Sequence, residues 1–339
     1  MIDTERKLFW DTLCSLDGQN SEADFNKLKA TIKYPAFIYR YRAITVNNID
    51  ALQNNKLYFS RSSYYDDPFD TYLHIDYKNI YQQLMSTENS KEAAVGIFKQ
   101  ICVQKGVDGK IIESKIKEIN QTSTEQFFNV LVSFMTSEIQ PLIRNTSMSV
   151  CFSESGLNET MWLKYADQYR GFCLVYSLQD DEKFLCGKQD KCLNCGINKF
   201  GTPLYPMYYS ETRYDATKYA YNLAHEYFLR HVYPNLTSEE VLSQLNPCVW
   251  EKEKVTLIKS KCHEYDAEWR MILPCLMKEP VMREWIPYGI ILGLKISEND
   301  KRIVIDSAKC AGIKHIFQSV IDNNGGLGMI EITGDNTNA

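Results

Sequence analysis

The chain has 339 residues, of which 44% are hydrophobic and 24% charged, a composition typical of a globular protein with one large core or two modest ones. Its formal net charge of −5 argues against strong nonspecific binding to nucleic acid, because phosphate binding depends on clustered Lys and Arg. The sequence has no run of about 18 apolar residues and begins with acidic rather than basic positions, so we expect a cytoplasmic protein without a membrane partner.

Helical spacing of the apolar residues over 1–33 predicts an N-terminal helical extension ahead of the main fold. A strand is then expected over Ala36–Tyr41 and a helix over Val46–Gln53, with Thr45 as its N-cap. Lys56–Ser60 predicts a second strand. The main fold therefore opens with a strand–helix–strand unit.

From Tyr77 to Pro141 the apolar residues recur at helical intervals. We interpret residues 78–146 as a helical insertion within a single domain that spans residues 34–335. Such an insertion either covers a face of the sheet or borders the functional site.

The segment from Ser149 to Ser177 predicts two apolar strands joined by a short amphipathic helix. The later expected elements are a strand around Leu204–Tyr209, helices over Ala216–His231 and Ser238–Ser260, strands over Tyr265–Cys275 and Ile286–Ile296, a helix over Glu298–Ala311 and a strand over Met329–Thr333. This order of elements predicts an α+β fold with a mixed, mostly antiparallel sheet.

Eleven cysteines are scattered along the chain, and we expect reduced thiols. One cluster differs, because Cys186 is followed by Cys192 and Cys195, and the last two form a C-x-x-C pair, which is half of a zinc-binding spacing. The remaining ligands would come from distant positions, namely Cys248, Cys262 or His263. The cluster is either a structural metal site or a loop with reduced thiols.

Glu268 and Arg270 are two positions apart in an expected strand, so both side chains leave the same face of the sheet. A carboxylate directed into a cleft can orient a hydroxyl or stabilise a developing cation. The alternative is a Glu–Arg pair on the protein surface without a catalytic role.

Arg40 and Arg42 share one face of the first expected strand, and Tyr39 and Tyr41 share the other. Arginine presents a planar fork suited to phosphate or carboxylate. An exposed strand face explains the two arginines equally well. The tyrosine Tyr39 is included among the candidate binding residues.

Further candidates lie near the ends of the expected elements. Ser60 ends the second strand and Ser153 ends a later one, while Asp67 and Phe69 flank Pro68 in a rigid turn. A role as turn cap explains Asp67 equally well, and Phe69 is placed to stack on an aromatic ring of a ligand.

Trp162 and Tyr165 are three residues apart on the short central helix and face the same side, which makes both candidates for ligand contact. Packing in the core is the alternative for Trp162.

Sequence motifs exclude several enzyme classes. The chain has no GxGxxG, GxxxxGK[ST], HExxH or GxSxG motif, so Rossmann, P-loop, zincin and α/β-hydrolase functions lack support. None of the five histidines is spaced from a carboxylate, within the segments that carry the candidate residues, as two metal ligands would be. We therefore expect no catalytic metal. A metal-dependent nuclease remains as a lesser alternative, built on Asp66, Asp67, Glu268 and Lys261.

Seven short blocks occur in the order IYRYR, LYFS, DDPFD, CFSE, MWLKYA, AEWRMI and IILG between residues 38 and 332. In that order they resemble the bacterial domain-of-unknown-function family 2971. The resemblance implies one shared fold and one site built from these blocks, without a secure activity.

The ordered trio of Arg40, a serine and Glu268 also resembles the NAD site of the ADP-ribosyltransferase superfamily. That resemblance implies a split sheet in which the first residue holds NAD, the second supports the nicotinamide ribose and the glutamate steadies the transition state. No STS triplet occurs at the expected place, so the middle residue is either Ser60 or Ser153.

We therefore expect an NAD-dependent ADP-ribosyltransferase or NAD-cleaving enzyme acting on a macromolecular acceptor, and we interpret its setting as that of a toxin or of phage defence. The catalytic set is Glu268, Ser153 and Arg40. The binding set is Tyr39, Arg40, Arg42, Ser60, Asp67, Phe69, Trp162, Tyr165 and Arg270. The non-enzymatic alternative is a nucleotide-sensing or protein-interaction module that keeps the pocket without turnover.

Overall fold

The computed structural model describes residues 1–18, 21–86, 95–96, 99, 103, 107–178, 204–232, 235, 237, 250–273 and 281–332. The chain forms two compact units. The first unit comprises Met1–Thr71, Asn145–Arg213 and Lys252–Ala339, and the second comprises Tyr72–Arg144 and Tyr214–Glu251.

All described strands belong to the first unit, and most of them pair antiparallel. They are β1 (Phe37–Arg42), β2 (Lys56–Arg61), β3 (Met148–Ser153), β4 (Phe172–Ser177), β5 (Leu204–Pro206), β6 (Tyr208–Ser210), β7 (Ile258–Ser260), β8 (Glu268–Ile272), β9 (Val281–Glu284), β10 (Gly289–Leu292), β11 (His315–Ile321) and β12 (Leu327–Glu331).

The main sheet runs in the order β12–β11–β10–β4–β1–β3, and β3 also pairs with β2 and β8. β9 extends the sheet beyond β2, and β5 extends it beyond β8. β10 and β11 are parallel and the other pairs of this sheet are antiparallel, whereas β6 and β7 form a separate parallel pair.

The described helices of eight or more residues are α1 (Asp3–Ser15), α2 (Ser21–Lys29), α3 (Val46–Gln53), α4 (Tyr77–Ser86), α5 (Gly109–Gln121), α6 (Thr124–Phe134), α9 (Thr217–Val232) and α11 (Glu298–Cys310). Shorter ones are α7 (Gln140–Thr146), α8 (Glu159–Tyr165) and α10 (Glu251–Thr256). In the described part of the chain, two 3₁₀ helices cover Ser62–Tyr64 and Lys261–Asp266, and Met135–Ile139 is a π-helical turn.

Both faces of the sheet are covered within the first unit. One face carries the larger core, to which Leu52 of α3 and Val304 of α11 contribute. The other face is covered by α8, whose Trp162 meets the ring of Tyr41 edge to face at 5.2 Å. A side chain at Gly171 would overlap the carbonyl oxygen of Arg42, so glycine is required where β4 begins beside β1.

The second unit is helical. Tyr81 of α4 meets Phe128 of α6 edge to face at 5.0 Å, and Phe134 meets Tyr227 of α9 in the same way at 5.5 Å. The side chain of Gln140 exchanges hydrogen bonds with the backbone of Leu73, at 2.8 and 3.0 Å.

The α+β class and the mostly antiparallel sheet are confirmed, together with the helices at the N-terminus and between Tyr77 and Pro141 where they are described. Thr45 caps α3 as predicted, accepting a hydrogen bond from the backbone of Asn48 at 3.2 Å. Among the described residues, no helix combines the length and apolar character needed to cross a membrane.

Several predicted elements were wrong. The helix expected over Ser238–Ser260 is helical only at Glu251–Thr256 where described, and β7 follows it. The strand expected from Tyr265 begins at Glu268, because a 3₁₀ helix extends to Asp266. The buried strand expected over Ile286–Ile296 covers only Gly289–Leu292, and β9 and β11 were not predicted. The cysteine cluster around Cys192 and the C-terminal tail lie outside the described residues.

Candidate functional site

A cavity of about 550 Å³ lies in the first unit, at the strands β1, β2 and β3. Its volume falls in the range of pockets that bind small molecules and cofactors. The remaining walls come from the loop after β2, from α8, and from the segment that includes β7, the second 3₁₀ helix and β8.

At this cavity, three strands pair with β3. β8 pairs with β3 from Ser149 to Ser153, so β1 and β2 must share the opposite edge of β3. On that edge β2 pairs at Ser149 and β1 pairs at Ser153. Arg40 of β1 reaches toward β2, with Nη2 3.5 Å from the carbonyl oxygen of Tyr58.

Two arginines form a cationic part of the cavity wall. Among the described residues no carboxylate lies within ion-pair distance of Arg40 or Arg42, and the buried Nε atom of Arg40 has no hydrogen-bond partner. Burial lowers the pKa of Arg42 to about 9, with repulsion from Arg40 as the next cause, and burial also lowers the pKa of Arg40. An anion would stabilise both charges, so this wall is suited to phosphate or carboxylate.

Another part of the wall is a buried network of ion pairs centred on Arg270. Its guanidinium donates to both carboxylate oxygens of Asp70, at 2.8 and 2.5 Å, and to Oε1 of Glu268 at 2.6 Å. Lys259 Nζ lies 2.8 Å from Oε2 of Glu268 and 2.9 Å from Oδ2 of Asp266. Each carboxylate oxygen of Glu268 therefore accepts a short, charge-assisted hydrogen bond.

The network keeps Glu268 ionised although its side chain is only 6% exposed. Burial alone would raise the pKa of this carboxyl, but the charges and hydrogen bonds of Arg270 and Lys259 hold the pKa of Glu268 well below its usual value. Its carboxylate is thus charged at neutral pH and fixed in position. A fixed negative charge of this kind can stabilise a cation that develops close to it.

The backbone of Glu268 is also held. Arg6 of α1 donates through Nη1 to the carbonyl oxygens of Glu268, at 3.0 Å, and Met207, at 2.7 Å. Its Nη2 atom lies 2.7 Å from Oε2 of Glu154. The N–H of Glu268 donates to the hydroxyl of Tyr209 at 2.7 Å. The residue that carries the key carboxylate is therefore bound through its N–H, its C=O and its side chain.

Aromatic rings supply much of the remaining wall. Tyr65 lies with its ring 5.4 Å from the Arg270 guanidinium, and its hydroxyl is 2.7 Å from Oγ of Ser149. Burial raises the pKa of Tyr165 to about 12, so its hydroxyl is neutral at physiological pH. Phe69 is 55% exposed, and its ring lies 5.5 Å from the Arg213 guanidinium. Flat rings of this kind are suited to stacking with a base.

Ten of the eleven residues predicted for the site line this one cavity, although they are spread over more than two hundred positions. They are Tyr39, Arg40, Arg42, Ser60, Asp67, Phe69, Ser153, Tyr165, Glu268 and Arg270. Their assigned roles remain predictions.

The eleventh, Trp162, belongs to the core. It is 0% exposed, and its indole N–H donates to the carbonyl oxygen of Gly156 at 2.9 Å. The prediction that it contacts a ligand was wrong, because the amphipathic face of α8 that carries it packs on the sheet.

Two other predicted residues have their polar groups engaged. The guanidinium of Arg270 donates to Asp70, Glu268 and the carbonyl oxygen of Thr256, so it supports the carboxylate instead of offering a fork to a ligand. The Glu268–Arg270 pair is buried and not on the surface. The hydroxyl of Ser153 donates to the carbonyl oxygen of Asp266 at 2.9 Å, whereas that of Ser60 has no hydrogen-bond partner among the described residues.

Several other lining residues were not predicted for this site, among them Asp70, Lys259, Tyr65 and His263. The one sequence signal for them was Arg270 itself, because an arginine within a buried strand requires a carboxylate partner. That signal does not say which carboxylate is the partner, and Asp70 lies two hundred positions before Arg270. Within the described residues, no group of three His, Cys, Asp or Glu side chains is placed to hold a metal ion.

No protein-family model matches the chain, and neither the curated proteins nor the solved structures include a significant match. The resemblance to family 2971 and to the ADP-ribosyltransferases therefore remains a hypothesis.

Proposed function

We propose that the protein binds NAD and cleaves the bond between nicotinamide and ribose, transferring ADP-ribose to a macromolecular acceptor or to water. One observation carries this proposal. The unpaired cations Arg40 and Arg42 line the same cavity as Glu268, a carboxylate held ionised and in place. A substrate that has phosphates beside a bond whose cleavage generates positive charge matches both features.

The two arginines and the aromatic rings of the cavity account for NAD binding. Arg40 and Arg42 hold the diphosphate through their guanidinium forks, which no described carboxylate occupies. The rings of Phe69 and Tyr165 contact the flat bases. Ser60, whose hydroxyl is not engaged by a described residue, takes the role of the middle residue that supports the ribose.

Cleavage breaks the bond between C1′ of the ribose and the ring nitrogen of nicotinamide, and the bonding electron pair leaves with nicotinamide. Positive charge then spreads over C1′ and the ring oxygen of the ribose. The negative charge of Glu268 stabilises this developing positive charge at short range. The interaction lowers the barrier to cleavage more than it improves ground-state binding. A nucleophile of the acceptor, or water, forms the new bond to C1′ and loses its proton.

A second candidate is a nucleotide sensor without turnover. It is favoured by the pairing of both oxygens of Glu268 with cations, at 2.6 Å to Arg270 and 2.8 Å to Lys259. Such pairing reduces the negative field that the carboxylate presents to a substrate. The same pairing argues against a metal-dependent nuclease, since Glu268 already has two cationic partners.

Glu268→Gln separates the two candidates. Purified protein is incubated with NAD, free nicotinamide is quantified, and NAD affinity is measured by calorimetry. We expect the parent to release nicotinamide and Glu268→Gln to release it at least ~10²-fold more slowly with NAD affinity changed only a few-fold, the pattern of a lost transition-state interaction. Glu284→Gln, at an exposed position of β9, is the matched control and should leave both quantities unchanged.

Three outcomes are distinguishable. A parent that binds NAD without releasing nicotinamide supports the sensor. A parent that does not bind NAD rejects both candidates. If a thermal melt shows that Glu268→Gln is unfolded, Glu268 is a structural partner of Arg270 and its catalytic assignment fails.

A further inference from the structure

The cavity contains a histidine with a carboxylate near each ring nitrogen. His263 lies in the second 3₁₀ helix, with its side chain 20% exposed. Its Nε2 atom is 3.5 Å from Oδ2 of Asp67, and its Nδ1 atom is 3.7 Å from Oδ2 of Asp266. Asp67 is fixed from its other oxygen, which accepts a hydrogen bond from the N–H of Phe69 at 2.9 Å.

Three buried polar atoms in this cluster have no hydrogen-bond partner among the described residues. They are Oδ2 of Asp67, Nδ1 of His263 and Oδ1 of Asp266. Buried polar atoms are nearly always hydrogen-bonded, and a catalytic role is one of the explanations for such exceptions. Catalytic hydrogen bonds are often long before substrate binds.

We propose that His263 is the general base that takes the proton from the attacking nucleophile, with Asp67 orienting its ring. This inference rests on the NAD-cleaving function proposed above. A tautomer with its proton on Nε2, facing Asp67, leaves a lone pair on Nδ1, a buried atom that lies 3.7 Å from Oδ2 of Asp266. No described residue donates to that atom.

A lone pair of the nucleophile's oxygen forms the bond to C1′ while the bond from C1′ to nicotinamide breaks and its electron pair leaves with the nicotinamide nitrogen. Nδ1 of His263 accepts the proton that the nucleophile loses. The resulting imidazolium lies between the carboxylates of Asp67 and Asp266, which stabilise its charge, and it later returns the proton to solvent.

Charged groups from each neighbouring element affect this histidine. Asp67 comes from the loop after β2 and Asp266 from the same 3₁₀ helix. Lys259 of β7 bonds to Asp266, and Lys164 of α8 bonds to the hydroxyl of Tyr265, whose ring centroid is 6.2 Å from that of His263. Lys259 also bonds to Glu268, so the proposed base and the key carboxylate share a neighbour.

The test uses the full chain and two nucleophiles. In water alone, His263→Gln should slow nicotinamide release by at least ~10²-fold relative to the parent, the usual size of a general-base effect. Azide is an anion with no proton to remove, so adding sodium azide should restore release by His263→Gln to within ~10-fold of the parent.

His315→Gln is the matched control. Its imidazole also bonds to a carboxylate, with Nδ1 2.8 Å from Oε1 of Glu331, but it does not line the cavity. It should release nicotinamide at the parental rate with and without azide.

The outcomes separate this inference from the function on which it rests. No release by the parent overturns both. Release by His263→Gln at the parental rate, or a loss that azide does not restore, overturns the role of His263 and leaves the NAD-cleaving function standing. If a thermal melt shows His263→Gln to be unfolded, Asp67→Asn decides, since it should also slow release and be rescued by azide, and any other result overturns the proposal.

Discussion

Arg270→Met tests whether the buried ion-pair network stabilises the first unit. Methionine keeps much of the volume of the side chain but removes both hydrogen bonds to Asp70 and one of the two to Glu268. Lys259 remains 2.8 Å from Glu268 but is 4.0 Å from Asp70. Among the described residues, the side chain of Asp70 then keeps a hydrogen bond only from the Thr71 hydroxyl. Asp70 is 2% exposed, so the variant leaves a buried carboxylate without its cation. Breaking a buried pair in this way costs about 3–5 kcal/mol in the free energy of unfolding.

The assay is urea-induced unfolding followed by tryptophan fluorescence and far-UV circular dichroism. Arg170→Met is the matched control, because Arg170 also forms a two-pronged pair, with Asp167 at 2.9 and 3.0 Å, but both side chains are about half exposed. It should cost at most about 1 kcal/mol. Combining Arg270→Met with Asp70→Leu removes both charges and should recover part of the lost stability. If Arg270→Met costs no more than Arg170→Met, the network does not stabilise the fold.

Substitutions of Arg40, Trp162 and Glu268 have separate expected effects on NAD binding and on stability. Arg40→Met should weaken NAD binding at least ~10-fold in calorimetry, because it removes one phosphate fork. Arg302→Met, at an exposed position of α11, should leave the affinity unchanged, and equal affinities of the two variants would exclude Arg40 from the anion site. Trp162→Phe should lower the free energy of unfolding by about 1–3 kcal/mol, because the Gly156 carbonyl loses its hydrogen-bond donor. NAD affinity should stay at the parental value. A weaker affinity with unchanged stability would instead show that Trp162 belongs to the binding set. The pKa of Glu268 in the folded protein is below its ordinary value of 4.5, so its charge stabilises the fold above that value and the contribution is lost as pH falls through the folded pKa. The difference in unfolding free energy between the parent and Glu268→Gln should therefore be constant from pH 8 to 6 and shrink below about pH 4.5, and a difference that grows on acidification would contradict this assignment.

Helix caps, turn residues and apolar runs predicted those helices and strands whose ends depend on neighbouring residues in the sequence. α3 was located to the residue because Thr45 caps it and the Asn54–Asn55 turn ends it. β3 and β4 were located because their apolar runs are buried on both faces. β9 escaped prediction because its residues alternate between partly buried and exposed, which a short edge strand shares with a loop.

The candidate site was predictable where a residue type alone indicates its chemistry. Arg40 and Glu268 were identified because a strand carrying charged side chains points them into a cleft or to solvent. The pairing of Arg270 with Asp70 was not predictable, because it depends on a long-range contact between β8 and the loop after β2. Trp162 was misassigned for a related reason: helical spacing shows that two side chains share a face, but not whether that face contacts a ligand or the sheet.

The hydrogen bonds of Arg6 have a practical consequence for choosing expression fragments. A fragment cut at residue 34, where sequence patterns place the start of the main domain, would lack the guanidinium that ties α1 to the backbone of Glu268 and Met207. It would also uncover the partners of Phe9 and Leu13, both of which are 0% exposed. Such a fragment would lose the support behind β8 while keeping every residue that lines the cavity. An inactive or insoluble fragment of that design would therefore say nothing against the chemistry assigned to those residues.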